Sequence, residues 1–405
     1  MYPLCKPFFT SAPTNLAILA VCITIFSLAY TSQYLFYYIE PGPLSASQAI
    51  WFNLNVFFIW LSYYRACTTD AAPRGWVSKA VPTEDIEPEK IVRWCKKCRK
   101  VKPPRAHHCK ICATCVPKMD HHCPWTVNCV SYLTFPHYLR FLFYSVISMS
   151  ILAYHLSIRL HVIWQKRYAP AYLGPPVWTL VHLLVLLASN SLMLFMLSIL
   201  LIRVIFGLAT NTTMIECWEI ERHEVLVNRY RRTNGYISIA GGQLLPIEHQ
   251  EFPYDIGMWK NVCQSMGTRN FLMWLMPFGG TPDVESAGTW EVNGFEDEGK
   301  VWPPPDPEKM RRYWPQKTVD SSENLDRLDE EGIAAFKARQ NYDLRRRGHL
   351  RGTTTNESFY DYDEKISDAS DEFNFDTNAE TSWKNLDGDR LEDYGVDEDE
   401  TAVRR

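Results

Sequence analysis

Seven of the twelve cysteines fall between Cys95 and Cys129, interspersed with four histidines. At that density, cysteines form a disulfide framework in an oxidising compartment, and metal sites or thiol chemistry in a reducing one. Cys95/Cys98 and Cys109/Cys112 are each separated by two residues, the form in which tight turns present zinc ligands. With Cys115, Cys129 and two of the histidines they complete two four-ligand sites. The second pair begins before the first site is complete, so the sites interleave and knit together a segment with few large aliphatic side chains. Mixed Cys/His ligation favours zinc over iron–sulfur. Eight ligands leave one cysteine over. Cys123 stands apart because Asp120, His121 and His122 precede it: a thiol, a base to ionise it and a carboxylate to orient the base. Spacing alone also allows Cys123 as the ligand and Cys129 as the spare. A cross-braced ubiquitin-ligase finger would need a closing Cys-x-x-Cys pair, which the chain lacks after Cys115.

The elements that must position this cluster are apolar. Four stretches, about Leu16 to Ile39, Gln48 to Tyr64, Phe141 to Trp164 and Val177 to Phe206, approach the roughly 20 residues a membrane span requires. The second is the weakest, with Asn53 and Asn55 inside it. Thirteen Lys and Arg against six acids lie between Arg65 and His137, while the segment between the first two spans has no base. The positive-inside rule then predicts four spans, with the cysteine cluster and both termini in the reducing cytosol. The expected fold class is an all-α polytopic membrane protein: four transmembrane helices with a cytosolic two-zinc, cysteine-rich domain between the second and third. A net charge of −4 combines opposed local fields, and no nucleic-acid partner is expected. Asn211-Thr212-Thr213 spells a glycosylation acceptor that this topology sets aside.

The cluster resembles the DHHC-type protein S-acyltransferases, the palmitoyltransferases. The resemblance rests on the Cys-x-x-Cys opening, Lys102-Pro103-x-Arg105-x-x-His108-Cys109, the Cys112 and Cys115 spacing, Asp120-His121-His122-Cys123, and Pro-Trp-x-Val-Asn-Cys at Pro124 to Cys129. It extends from about residue 10 to 280 and places the first zinc on Cys95, Cys98, His108 and Cys115. The second zinc falls on Cys109, Cys112, His122 and Cys129. Cys123 becomes the nucleophile, His121 its base and Asp120 the residue that orients the base, leaving His107 without a special role. Arg105 is implied to meet coenzyme phosphates, and Trp125 to lie near the head of the acyl chain. The pattern departs from the family at Asp70-Ala-Ala-Pro73, where Asp-Pro-Gly is usual, and at Thr213-Met214-Ile215-Glu216, where Thr-Thr-x-Glu is usual. Asn261 sits in a segment resembling the family's C-terminal region and is expected near the active loop.

The resemblance implies transfer of a long-chain acyl group from acyl-coenzyme A (palmitoyl-CoA) to Cys123, then to cysteines of membrane or membrane-associated client proteins. Two structural zinc ions per chain and contact with membrane lipids are implied alongside. Trp218-Glu-Ile-Glu-Arg-His223, Phe252-Pro-Tyr-Asp-Ile-Gly257 and the acidic tail are similar to a fungal endoplasmic-reticulum branch of the family, whose client is chitin synthase. The alternative from the residues alone is a non-catalytic, zinc-containing membrane scaffold. The expected divisions are 1–67 (tail and spans 1–2), 68–137 (cysteine-rich domain), 138–210 (spans 3–4), 211–284 (membrane-apposed segment) and 285–405 (linker and acidic tail). Between Asp361 and Glu400 there are sixteen acids and three bases, a composition expected to stay unpacked.

Overall fold

The structure is a computed structural model, and it describes residues 12–80, 92–170, 172, 174–232, 237–238, 244–245, 249–294, 302–304, 384–385, 388–396 and 402–404. Helix α1 (Ala12–Phe26) continues through a π-helical turn at Ser27–Thr31 into α2 (Ser32–Leu35). At this turn hydroxyls compete for the backbone: Thr31 Oγ1 donates to Ser27 O and Ser32 Oγ to Leu28 O, both at 2.6 Å. Helix α3 (Ala46–Thr68) begins at a capping box in which Ser45 and Gln48 satisfy each other's backbone N–H groups. A short α4 (Trp76–Ala80) follows.

Helices α5 (Phe135–Gln165) and α6 (Val177–Thr210) have 31 and 34 residues. At the helical rise they are about 46 and 51 Å long, well beyond the roughly 30 Å of a bilayer's hydrocarbon core. Three described stretches are long and apolar enough to cross a membrane: Leu16–Leu35, Phe135–Gln165 and Val177–Thr210. The chain is thus a polytopic membrane protein, with three such helices where four were expected. The expected second span lies within α3, which is long enough, at about 34 Å, but less apolar. Its two asparagines are hydrogen-bonded. Asn53 and Gln33 exchange hydrogen bonds of 2.9 and 3.1 Å, and Asn55 donates to Trp51 O. Helix α3 packs along α5 and α5 along α6, around a core that includes Leu35, Phe36, Phe52, Val56, Leu156 and Leu186.

Between α4 and α5 the described chain from Val92 to Val130 forms strands rather than helices, which corrects the all-α expectation. Three antiparallel hairpins follow one another: β1 (Val92–Cys95) with β2 (Lys100–Val101), β3 (His107–Cys109) with β4 (Thr114–Val116), and β5 (His121–Cys123) with β6 (Asn128–Val130). The physical reason is the tight turn at each of Cys95, Cys109 and Cys123. It reverses the chain within a few residues and leaves the flanking residues side by side to pair.

Beyond α6 lie α7 (Met214–Arg232), the two-residue strands β7 (Ile237–Ser238) and β8 (Leu244–Leu245), α8 (Met258–Met266) and α9 (Phe271–Leu275). Arg140 of α5 clamps the last of these segments, donating to the carbonyls of Trp274 and Gly279 at 2.9 Å and of Met273 and Gly280 at 3.2 Å. The expected break at residue 285 is not a break in packing. Ala287 is buried, Trp290 Nε1 donates to Pro104 O at 3.2 Å, and Trp302 packs edge-on against His223 and Phe252. Residues 305–383, most of the expected unpacked tail, lie outside the described residues. The described end of the tail is packed: Leu391, Tyr394 and Val396 are buried, and β9 (Ala402–Arg404) pairs antiparallel with β1.

Candidate active site and metal clusters

The three hairpins share one construction. In the first two, the backbone N–H of the second cysteine donates to the first: Cys98 N to Cys95 Sγ and Cys112 N to Cys109 Sγ, both 3.3 Å. In the third, the backbone of Thr126 donates to Cys123 in the same way. Each turn then has a residue at positive φ: Arg99 at 52°, Ala113 at 53° and Val127 at 52°. The strand register sets His108 opposite Cys115 and His122 opposite Cys129. The second and third hairpins therefore each carry a histidine and a cysteine side by side, aimed at the turn of the hairpin before.

Two clusters result: Cys95, Cys98, His108 and Cys115, and Cys109, Cys112, His122 and Cys129, with the candidate ligand atoms of each within 4.8 Å of one another. His108 Nδ1 lies 3.5, 3.2 and 4.0 Å from the sulfurs of Cys95, Cys98 and Cys115. His122 Nδ1 lies 3.6, 3.5 and 3.5 Å from those of Cys109, Cys112 and Cys129. A tetrahedral zinc with Zn–S near 2.3 Å and Zn–N near 2.0 Å has S···N edges of about 3.6 Å. The donors and their separations thus suit zinc, with four protein ligands per site and no open position for water.

Cys123 ends β5, beyond His122, and belongs to neither cluster. It is 4% exposed, with Val130, Tyr138 and Leu142 around it and Leu197, Leu201 and Val204 of α6 behind them. Its polar side faces His121, whose Nδ1 lies 2.8 Å from Asp120 Oδ2. The other oxygen, Asp120 Oδ1, accepts from Met214 N at 2.7 Å, at the start of α7. These two contacts hold the Asp120 carboxyl group in place behind the imidazole. Burial alone would push His121 down. The hydrogen bonds to Asp120 and Cys123 outweigh it and raise the group to about 10. Burial alone would raise the Cys123 thiol, but His121 and Thr126 bring it below the ordinary thiol value. Both shifts favour the thiolate–imidazolium form of the pair over the neutral one. Tyr138 packs edge-on against His121 at 5.9 Å.

Arg105 is not available to coenzyme phosphates, contrary to expectation. Its side chain is fully buried, with Nε 2.6 Å from Glu216 Oε1 and Nη2 2.7 Å from Glu216 Oε2. The remaining donors reach Asn211 O and Oδ1, and the guanidinium lies 4.5 Å from the Tyr254 ring and 4.8 Å from that of Trp290. Removing one partner of such a buried pair costs about 3–5 kcal/mol. Its place is structural, tying the second hairpin to the start of α7 and hence to the Met214 N–H that holds Asp120. Trp125, in the turn next to Cys123, is 58% exposed. Its carbonyl accepts from Tyr63 OH of α3 at 2.8 Å. Asn261, expected near the active loop, holds the end of α6, donating to Ala209 O at 2.6 Å and to Asp255 Oδ1 at 2.7 Å. The altered Asp70 turn remains closed, with Ala72 N donating to Asp70 Oδ1 at 3.0 Å.

Sequence reasoning missed Asn211, Lys118 and Asn128 as residues that position the site. Asn211 is fully buried where α6 ends, and accepts from Arg105 and from Lys118 Nζ at 2.6 Å. Asn128 Nδ2 caps α3, donating to Ala66 O at 3.0 Å and Thr69 O at 2.8 Å, and so joins the third hairpin to the bundle. A signal for Asn211 was present, since asparagine directly after a long apolar helix suits a left-handed cap; its φ is 56°.

A profile of the DHHC palmitoyltransferase family matches residues 89–221. The chain is 45% identical over 416 residues to a palmitoyltransferase Pfa4 of Emericella nidulans, covering 98% of this chain and 94% of the relative. It is 46% identical to that of Aspergillus fumigatus, covering 98% and 95%. With that of Gibberella zeae it shares 42% identity, covering 95% and 89%.

Proposed function

The chain belongs to the DHHC palmitoyltransferase family and is a protein-cysteine S-palmitoyltransferase; we propose that Cys123 is the nucleophile of a two-step acyl transfer. The observation that carries this assignment is the position of the Cys123 sulfur, between the Asp120–His121 pair on one side and the apolar wall of α5 and α6 on the other. A charged nucleophile at the head of an apolar wall suits a substrate with a reactive thioester and a long hydrocarbon chain.

In the first step the Cys123 thiolate attacks the thioester carbonyl of a long-chain acyl-coenzyme A. The bond to the coenzyme sulfur breaks, and the imidazolium of His121 gives that sulfur its proton. His121 is then neutral. In the second step it takes the proton of a client thiol, the client sulfur attacks the acyl-Cys123 thioester, and Cys123 leaves as the thiolate. Asp120 keeps Nδ1 protonated, so that Nε2 faces the reacting sulfurs. One thioester replaces another, so most of the acceleration comes from positioning and from the lowered thiol. Each methylene buried against the helices contributes about 0.8 kcal/mol, which favours long chains such as palmitoyl. Trp125 is assigned to the head of that chain.

The two clusters hold structural zinc, with Cys95, Cys98, His108 and Cys115 as one ligand set and Cys109, Cys112, His122 and Cys129 as the other. Helix α3 acts as a fourth span, because its asparagines are paired within the bundle. This puts the hairpins and both termini on the cytosolic side, where the bases cluster. The resemblance of Trp218–His223 and Phe252–Gly257 to a fungal endoplasmic-reticulum branch of the family supports that membrane as the location and chitin synthase among the membrane-associated clients.

The test is labelling of purified protein with an alkyne-bearing long-chain acyl-coenzyme A. The wild type should carry a hydroxylamine-sensitive label, and Cys123→Ala should carry none while retaining two zinc ions. A thioester that formed on another cysteine of Cys123→Ala and passed to a client would overturn the assignment.

A further inference from the structure

We propose that the end of the acidic tail, Leu391–Val396, is a built-in cover for the second metal cluster, and that the module carries a seat for it. The composition of the tail predicts a solvated chain, yet three of its apolar side chains are buried: Leu391 and Tyr394 are 5% exposed and Val396 is 3%. They pack with Cys109, Val116, Met119, Cys129, Ile215 and Trp218, the apolar flank shared by the second and third hairpins and α7. Solvation of an acidic tail does not explain three buried side chains in one place. A short helix–groove contact does.

The backbone joins as well. Gly395 O accepts from Lys110 N at 2.9 Å, inside the Cys109–Cys112 turn, and Val396 pairs with Cys109 in an antiparallel bridge. Gly395 is required on two counts. Its φ is +80°, and a Cβ there would stand 3.1 Å from the Cβ of His122. The segment also holds its own shape. Leu391–Tyr394 forms one 3₁₀ turn, Arg390 N donates to Asp393 Oδ2 at 2.7 Å, and Tyr394 OH donates to Asp389 Oδ2 at 3.0 Å. Lys110 and Glu392 pair at 3.2 Å on the exposed rim, a contact that contributes little by itself. Further on, Ala402–Arg404 adds a third strand to the hairpin that carries Cys95, so the tail touches both knuckles.

The seat lies against two cluster residues, Cys109 and His122, and His122 shares a three-residue strand with His121 and Cys123. The cover therefore acts as a positioning element. It restrains the second cluster, and the cluster restrains the strand that carries the nucleophile. Tethering keeps the segment near its seat, and an acidic tail is attracted to a basic module. The inference rests on reading the second cluster as a zinc site, and the test separates the two.

Full-length protein, a truncation after Ala379, and full-length Leu391→Asp/Tyr394→Asp would be compared for zinc release to a chromogenic chelator and for the rate of acyl-enzyme formation. Loss of groups that support metal ligands typically weakens a site roughly 10–100-fold. One of the two zinc ions should leave faster by that order in both altered proteins, with slower acyl-enzyme formation. A peptide of residues 384–405, added in trans, should restore both rates to the truncation, and a scrambled peptide should not. Unchanged release of both ions in truncated and doubly substituted protein overturns the proposal. Where truncated protein fails to accumulate, a photo-reactive benzoylphenylalanine at position 394 of the intact chain decides. Crosslinks within the same chain to the peptides holding Met119 or Trp218 support the seat, and crosslinks elsewhere overturn it. Fewer than two zinc ions in the wild type would instead sink the zinc reading, while the crosslink would still report on docking.

Discussion

The second and third hairpins are nearly the same object. His107-His108-Cys109-x-x-Cys112-x-x-Cys115 recurs as His121-His122-Cys123-x-x-Thr126-x-x-Cys129. Strand register, backbone donor to the first sulfur and positive φ after the turn all correspond. Two differences separate them. Thr126 stands where Cys112 does, and the third hairpin is followed by α5 rather than by another hairpin that could lend a histidine and a cysteine. The turn that would stabilise a metal-bound thiolate at Cys109 recurs at Cys123 with no partners to complete a metal site. What remains is a knuckle that favours thiolate and has no second cysteine in its turn. On the proposed assignment of Cys123, a nucleophile is made from a metal-ligand turn by withholding the rest of the site.

The sharpest way to break this comparison is to delete the same atom from both turns. Cys123→Ala should abolish the acyl-enzyme while metal content stays at two and folded yield is unchanged. Cys109→Ala should lose one zinc and most of the folded protein, because the ligand supplies folding free energy. Metal analysis with size-exclusion yield checks both, and loss of metal from Cys123→Ala would erase the distinction.

The paired histidines come next. His121→Ala should slow acyl-enzyme formation by roughly 10²–10⁴-fold, the usual worth of a positioned acid–base group, with both zinc ions present. His122→Ala should lose an ion and folded protein. The reverse result would mean that ligand and base have been exchanged.

Thr126→Cys tests whether the missing second cysteine is what keeps metal out. It recreates a Cys-x-x-Cys pair beside His121, and micromolar zinc should then inhibit acyl-enzyme formation by about tenfold, reversibly with chelator. Indifference to added zinc, as in the wild type, would show that the absent fourth hairpin alone accounts for the difference.

The smallest effect concerns how the third hairpin is anchored. Asn128→Ala removes both donors that cap α3 and should cost about 1–3 kcal/mol, leaving buried carbonyls unpaired. Zinc content should be unchanged. A melting temperature equal to that of the wild type would mean that the hairpin is held to the bundle by other contacts.

How much of this was legible in the sequence follows from how far apart the interacting groups lie. The two Cys-x-x-Cys pairs could be read from spacing, because a tight turn brings Cys95 to Cys98 and Cys109 to Cys112 whatever the rest of the chain does, whereas the residues that complete each cluster came from the family resemblance. The two long apolar helices could be read too, since a bilayer selects for length and apolarity alone. Asp120-His121-Cys123 was visible as a constellation, but the hydrogen bond from Met214 that fixes Asp120 was not. Arg105, which the family resemblance assigned to coenzyme phosphates, is buried instead, because its partner Glu216 lies 111 residues further along. The acidic tail looked unpacked for the same reason: the surface that receives Leu391, Tyr394 and Val396 is assembled from both hairpins and α7. Local patterns, which depend on neighbours a few residues away, were settled by the sequence itself. Which charges are buried, which carbonyl meets which amide and where the tail comes to rest depend on surfaces that exist only once distant segments have packed, and those the tertiary structure decided.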